Sequence, residues 1–329
     1  MSRPTEPSTR TCPVCDGRAW THAIDAEEMF DGERFSIVRC TSCGMLATDD
    51  NLEPAQLLSY YAYGGSDAGS RFRALLEPLM RALRRRRTRT VTQLRATPGK
   101  ILDVGCGRGV IIKALAEAGW DVYGTELDAG IAATARDALG DRIQIGPLEA
   151  IDLPEGSFDV VTFWHVLEHL QDPRAALERA RALVSPTGAV LVSVPNADSW
   201  QARWFGRHWL HLDVPRHRWH FSDETLLALA HRTGLSHRST EHFSLEYGPY
   251  GIFQSALAAT GLGHTLFTRI LRQTGGSIPW RDPALWAHAG LALPIGAAAL
   301  AALPVEALAA HFRHGGSIQV QLGPTTASI

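Results

Sequence analysis

Four cysteines stand in two Cys-x-x-Cys pairs, Cys12 with Cys15 and Cys40 with Cys43. Such a turn sets two thiolates at tetrahedral spacing, and two turns complete a Zn–S4 site. The set leaves no open ligand position, so the reading is structural Zn2+ rather than catalytic metal. The fifth cysteine, Cys106, lies between two glycines. It reads as a small buried filler and not as a nucleophile.

The second string with chemical capacity is Ile101-Leu-Asp103-Val-Gly105-Cys106-Gly107-Arg-Gly109. An apolar strand ends in an acid, and three glycines let the backbone turn sharply and approach a ligand closely. The helix that follows offers free N–H groups at its start. About twenty residues later a second strand ends at Thr125-Glu126, where a carboxylate can accept hydrogen bonds from both ribose hydroxyls of an adenosine. A dinucleotide-binding turn would space its glycines Gly-x-Gly-x-x-Gly and lack the strand's Asp.

Histidines form two clusters. Trp164-His165-Val-Leu-Glu168-His169 begins where an apolar strand ends, and ligands of open α/β sheets sit outside the carboxyl ends of the strands. His165 reads as a general base for a hydroxyl or an acidic carbon, or as a wall of the pocket. The second cluster is His208, His211, His217 and His220, placed where a substrate loop is expected. Its open readings are substrate contact or base work by His217 and His220, purely structural hydrogen bonding, and a metal site. Arg216 in the same string suits a phosphate or carboxylate.

The elements that must position these groups follow from periodicity. Phe72, Leu75, Leu76, Leu79, Met80 and Leu83 keep helical spacing over 70–96, with an Arg-rich opposite face that includes Arg84 to Arg87. From Lys100 short apolar strands alternate with helices: strands over 101–104, 121–125, 142–145, 158–164 and 188–194, and helices to 118 and over 131–139, 173–184 and 222–233. Pro173 opens one helix, Ser222 caps another and Gly234 stops it. This rhythm predicts an α/β fold, a parallel sheet covered by helices. Two further strands are expected over 236–245 and 317–322.

The glycine turn resembles the first motif of the class I S-adenosylmethionine-dependent methyltransferases, an apolar strand followed by Asp-x-Gly-x-Gly-x-Gly. Leu153 through His169 is similar to that family's fourth-strand region, and Pro173 through Pro195 to its next helix and fifth strand. The string Asp213-Val-Pro-Arg216-His217-Arg-Trp-His220-Phe-Ser resembles one that recurs in bacterial methyltransferases of glycan and lipid modification. The resemblance implies a Rossmann-like seven-stranded sheet and S-adenosylmethionine as cofactor. It implies cofactor contacts at Asp103, Gly105, Cys106, Gly107, Gly109, Glu126, Leu127, Leu148, Glu149 and Trp164. One departure concerns the adenine: where the family often carries Gly-Asp after the third strand, this chain has Gly146-Pro147. Leu148 is left to supply a backbone contact there, and Glu149 or Asp152 the acid.

In this reading a zinc-ribbon-like module spans 1–50, a linker with the basic helix 51–97, the methyltransferase domain 98–246 plus 316–329, and an apolar helical insertion 247–315. The insertion holds a stretch, 283–305, without Asp, Glu, Lys or Arg, but broken by Pro283, Pro294 and Pro304. A span of the bilayer would strand the last β-strand on the wrong side, so contact with one leaflet, a lid or a subunit interface are the readings it leaves. Tyr60, Tyr61 and Tyr63 either close over the cofactor or pack the linker.

The 329-residue chain carries 32 Lys+Arg against 34 Asp+Glu, a net charge of −2. A nucleic-acid backbone as main partner would favour a basic excess. The odd, low cysteine count and the polar start MSRPTEPSTR suggest a reducing cytoplasmic setting, peripheral on the inner membrane face if the insertion meets lipid. The expected activity is methyl transfer to oxygen or carbon of a small or lipid-linked metabolite, such as a sugar, polyketide or polyprenyl-linked glycan. The rival readings are an RNA methyltransferase that grips RNA with the zinc module, and a non-catalytic membrane-associated adaptor.

Overall fold

The computed structural model describes residues 10–28, 32–50, 52–62, 70–260, 286, 290, 294, 297 and 301–325. Three strands come first, β1 (Trp20–Glu27), β2 (Arg34–Cys40) and β3 (Leu46–Asp49), then helices α1 (Pro54–Ala62) and α2 (Ser70–Thr92). The alternating region follows as β4 (Lys100–Val104), α3 (Val110–Glu117), β5 (Asp121–Glu126), α4 (Ala129–Leu139), β6 (Ile143–Ile145), β7 (Phe158–Trp164), α5 (Pro173–Leu183) and β8 (Val184–Pro195). The remaining described elements are α6 (Trp200–Phe205), β9 (Trp219–His220), α7 (Asp223–Arg232), β10 (Leu235–Glu241), α8 (Tyr247–Ala259), α9 (Leu303–His311) and β11 (Ser317–Pro324).

Seven strands form one mixed sheet in the order β10-β11-β8-β7-β4-β5-β6. The pairs β4–β5, β4–β7, β5–β6 and β7–β8 are parallel, and β10 runs antiparallel to β11. Central strands read as near-continuous apolar runs because both faces are covered; Gly188 to Pro195 of β8 are all buried. Ile101, Val122, Val160 and Leu191 from four strands pack with Ile112 and Leu115 of α3 and Ala132 and Ala135 of α4. The helices start where the sequence supplies caps. Asp172 accepts hydrogen bonds from the Arg174 and Ala175 N–H groups, with Pro173 in the first turn of α5. α5 then buries Ala176, Leu177, Ala180 and Leu183 along one face. The strand expected to run to residue 245 ends at Glu241, because its partner β11 runs out: Glu241 lies opposite Gln319, near the first residue of β11. The basic helix ends at Thr92 rather than near 96; the apolar residues expected on its first turns have side chains outside the described residues.

By packing, the chain divides into two compact units. One holds Leu76–Val194, Leu226–Glu241 and Gln319–Ile329, and so most of the seven-stranded sheet. The other holds Met1–Leu75, Pro195–Thr225 and His242–Ile318. This division cuts across the segments expected from sequence, and the reason is a second sheet, β1-β2-β3-β9. Its last strand comes from far along the chain: Leu46 pairs with His220 and Ala47 with Trp219. Beneath it Ala26, Phe35 and Ile37 share a core with Trp209, Leu212 and Val214. Tyr60 meets Phe35 edge-on at 6.2 Å, and the Tyr61 hydroxyl donates to the Arg216 carbonyl at 3.4 Å, so both tyrosines pack within this unit. Tyr63 lies outside the described residues, as does most of the uncharged stretch 283–305. In the same unit Glu306 of α9 is 2% exposed. Its carboxylate accepts from the Gln201 amide at 2.8 Å and the Gly316 N–H at 2.7 Å. Among the described residues no helix is long and apolar enough to cross a membrane.

Candidate active site

Within the larger-sheet unit, β4 is where the strand order reverses, with β5 on one side and β7 on the other. The chain therefore builds outward on one side of β4 and then crosses to the other, and open α/β sheets bind ligands outside the carboxyl ends of the strands at such a point. The glycine turn sits there. Gly105, Gly107 and Gly109 have φ of 69°, 56° and 75°, a region that disfavours side chains. Each glycine has its own spatial reason. A Cβ on Gly105 would lie 2.5 Å from Val166 Cγ2, and one on Gly109 would lie 2.7 Å from Ala135 Cβ. At Gly107 nothing lies within 4 Å, so the backbone there faces open space. Cys106 is 9% exposed and occupies the room left by Gly124 of β5, where a Cβ would lie 2.8 Å from its Sγ. Burial pushes its thiol well above the ordinary range, consistent with a filler.

Two carboxylates frame the turn. Glu126 at the end of β5 accepts from Gly107 N–H at 2.9 Å, Leu127 N–H at 2.8 Å and Asp128 N–H at 3.2 Å. This ties the second strand to the tip of the glycine loop. Asp103 is 4% exposed and accepts from the Thr162 hydroxyl at 2.7 Å, its register partner on β7. Burial pushes the Asp103 carboxyl up to about 7; the Thr162 hydrogen bond and the Arg87 charge pull it back in part, and the Glu126 charge pushes it further. The Arg87 guanidinium lies 5.4 Å from the centre of the Trp164 ring, and Arg86 pairs with Glu241 at 2.8 Å. The arginine run is thus more than a solvated face. Trp164 keeps its indole N–H buried without a hydrogen-bond partner. Leu148 is buried in a single turn of 3-10 helix after β6, while Leu127 and Glu149 are exposed.

His165 directly follows β7 and has φ of 53°. A non-glycine residue in that region is uncommon and is held there by its surroundings. Its N–H donates to the Ser193 carbonyl at 2.9 Å. Its ring Nε2 meets the Ser193 hydroxyl at 3.2 Å, and its Nδ1 lies 3.3 Å from the Glu168 carboxylate, an ion-pair distance. Glu168 is 1% exposed. A buried carboxylate behind an imidazole orients the ring, an arrangement that suits a general base.

The other two histidines expected to act, His217 and His220, belong to the second unit, and both are buried. His217 Nδ1 meets the His211 carbonyl at 2.8 Å, and its Nε2 lies 3.6 Å from Asp213. His220 Nε2 meets the Thr48 hydroxyl at 3.0 Å. Arg216 is ion-paired with Asp213, whose own φ is 37°. Asp213 thus partners two members of this string. Sequence reasoning did not single out Glu168, Thr162 or Arg87. The i, i+3 spacing of His165 and Glu168 and the strand period that sets Thr162 beside Asp103 were the available signals.

The same unit carries the four cysteines at two tight turns. Cys12 N–H donates to the Gly17 carbonyl at 2.9 Å, and Cys40 N–H to the Met45 carbonyl at 2.8 Å. Cys12 and Cys43 sulfurs are 3.5 Å apart, as are those of Cys15 and Cys40, and all four lie within 4.8 Å of one another. Tetrahedral zinc with Zn–S bonds of ~2.3 Å spaces sulfurs by about 3.8 Å, so the donor set and its size fit the ion. Gly17 keeps the cradle open, since a Cβ there would lie 3.1 Å from Cys15 Sγ and 3.3 Å from Cys40 Sγ.

Comparison with known proteins adds to this geometry. A family model described as "Methyltransferase domain" matches residues 71–240. A ubiquinone biosynthesis O-methyltransferase of Pectobacterium carotovorum is 32% identical over 167 residues, which cover 44% of this chain and 70% of that protein. One of Bordetella avium is 31% identical over 182 residues, 52% of this chain and 75% of that protein. Among solved structures, a SAM-dependent methyltransferase from Archaeoglobus fulgidus is 19% identical with a TM-score of 0.43, covering 53% of this chain and 79% of its own.

Proposed function

This chain belongs to the class I S-adenosylmethionine-dependent methyltransferases, and we propose that it methylates a hydroxyl oxygen on a small or lipid-linked metabolite. The observation that carries the base-assisted transfer is the His165–Glu168 pair, 3.3 Å apart at the end of β7 with Glu168 buried. Bound S-adenosylmethionine supplies a methyl group already activated on a sulfonium, so the chain's own work is to hold, orient and deprotonate. Glu126 and the Gly107 backbone would hold the ribose, Asp103 and the glycine turn the methionyl end. The buried, unpartnered Trp164 N–H and the open space at Gly107 fit such a guest. His165 takes the acceptor's hydroxyl proton on Nε2, and Ser193 yields that nitrogen as the acceptor arrives. The proton stays on the ring, where the Glu168 carboxylate stabilises the imidazolium. The relatives' printed names, ubiquinone biosynthesis O-methyltransferase, support both the oxygen and a lipid-linked acceptor. The four-cysteine group serves as a structural zinc site that ties the ends of β2 to the N-terminal turn.

A transfer screen with methyl-labelled cofactor over lipid, small-molecule and RNA fractions tests this reading. Label is expected in a hydroxylated lipid or small molecule, and His165→Gln should remove it. Label confined to RNA, or a product methylated on carbon, would overturn it.

A further inference from the structure

We propose that the exposed face of α6 and α9 is a docking surface for an anionic lipid surface. α9 exposes Val305, Leu308 and, just past its end, Phe312, at 38%, 50% and 57%. Their spacing of three and four residues makes one stripe along the helix. Trp200 of α6 stacks on Phe312 at 6.5 Å and 23° and lies 5.8 Å from Trp204, which is 56% exposed. The two helices therefore present one continuous apolar and aromatic face.

The charge pattern says what covers it. From residue 283 to 312 the sequence has a single Asp, Glu, Lys or Arg, namely Glu306. The fold turns that carboxylate inward to Gln201 and Gly316, so α9 shows no formal charge on its surface. At the aromatic end the pattern reverses. Arg203, Arg207 and Arg313 are exposed there; Arg203 pairs with Asp198 and Arg313 with the half-buried Asp223, so three guanidinium groups meet two carboxylates and the rim stays net positive. Large apolar and aromatic side chains gathered on one exposed face mark an interaction surface. Tryptophan and phenylalanine beside arginines suit the boundary of a bilayer, with rings at headgroup depth and guanidinium groups on lipid phosphates. The inference stands on this surface alone and does not depend on which acceptor is methylated.

Flotation of the full chain with vesicles decides it. The chain should float with vesicles of phosphatidylglycerol and phosphatidylcholine, and poorly with phosphatidylcholine alone. Trp204→Glu and Leu308→Glu should each lower the bound fraction about tenfold or more. Both positions are solvent-facing, and unchanged binding of S-adenosylmethionine will show that each variant is folded. Three results would overturn the proposal: a wild-type chain that stays at the bottom of the gradient with anionic vesicles, flotation unaffected by both substitutions, or self-association in sedimentation velocity that Leu308→Glu abolishes while no flotation is seen. The last would assign the face to a second copy of the chain.

Discussion

Asp103 makes a quantitative forecast about cofactor binding and pH. The ordinary carboxyl value is 3.8, and burial in the cofactor-free fold pushes this one up to about 7. Below 3.8 folded and unfolded chains both hold the proton. As pH rises toward 7 the unfolded chain releases it and the folded chain resists. The cofactor-free fold therefore loses stability across that window, by about 4 kcal/mol once both states are ionised. The cofactor carries a cationic sulfonium and so favours the ionised carboxylate. Binding is then coupled to loss of the Asp103 proton, and affinity weakens as pH falls through 7. With the bound-state value displaced well below 6, the dissociation constant at pH 6 should be about tenfold that at pH 8. Asp103→Asn keeps an oxygen to accept the Thr162 hydroxyl but cannot titrate. It should bind more weakly overall and lose the tenfold pH dependence. Its cofactor-free form should also resist denaturant better than the wild type at pH 8, and not at pH 4. Calorimetric titrations at pH 6, 7 and 8 in two buffers of different ionisation enthalpy measure both the affinity and the proton released. An equal pH slope in the wild type and Asp103→Asn would refute the coupling, because the slope would then belong to the ligand or to another group.

Other expectations follow from the same geometry. Gly105→Ala places its Cβ 2.5 Å from Val166 Cγ2 at a φ of 69°; it should destabilise by about 1–3 kcal/mol and abolish cofactor binding, and Val166→Ala should restore part of both. Gly107→Ala, with nothing within 4 Å, should cost only about 1 kcal/mol in thermal unfolding. His165→Gln should lower kcat by ~10²–10⁴-fold with little change in cofactor affinity, and Glu168→Gln should lower it less, again with cofactor affinity unchanged. Metal analysis of the purified chain should find about one zinc per molecule, and Cys40→Ser should lose it and lower the melting temperature.

Much of the larger-sheet unit was legible because its signals are local. The Asp103 to Gly109 turn, the strand patterns on either side, Pro173 at the start of α5 and the cap Ser222 all act within a few residues of themselves. The four cysteines were legible for the same reason. What escaped depends on distance along the chain. His217 and His220 announced themselves by residue type, but their surroundings include Thr48, 172 residues from His220. Arg87 was hidden in a run of identical neighbours, and only the helix phase selects the one that reaches Trp164. Glu168 lay in plain view, yet its role depends on the left-handed backbone at His165, which no pattern of residue types encodes. β9 is two residues long, too short for any periodicity to register.

That short strand has a consequence for how the chain is made. β3 cannot find its outer neighbour until residues 219–220 have been synthesised, and the core under Phe35 and Ile37 waits for Trp209 and Leu212. During synthesis the N-terminal turns can close on metal early, while the sheet behind them stays open at one edge through the whole alternating region. An unpaired strand edge invites association with other chains. Were the four thiolates to capture zinc early, the ion would hold this waiting segment in register and so guard assembly as well as brace the finished fold.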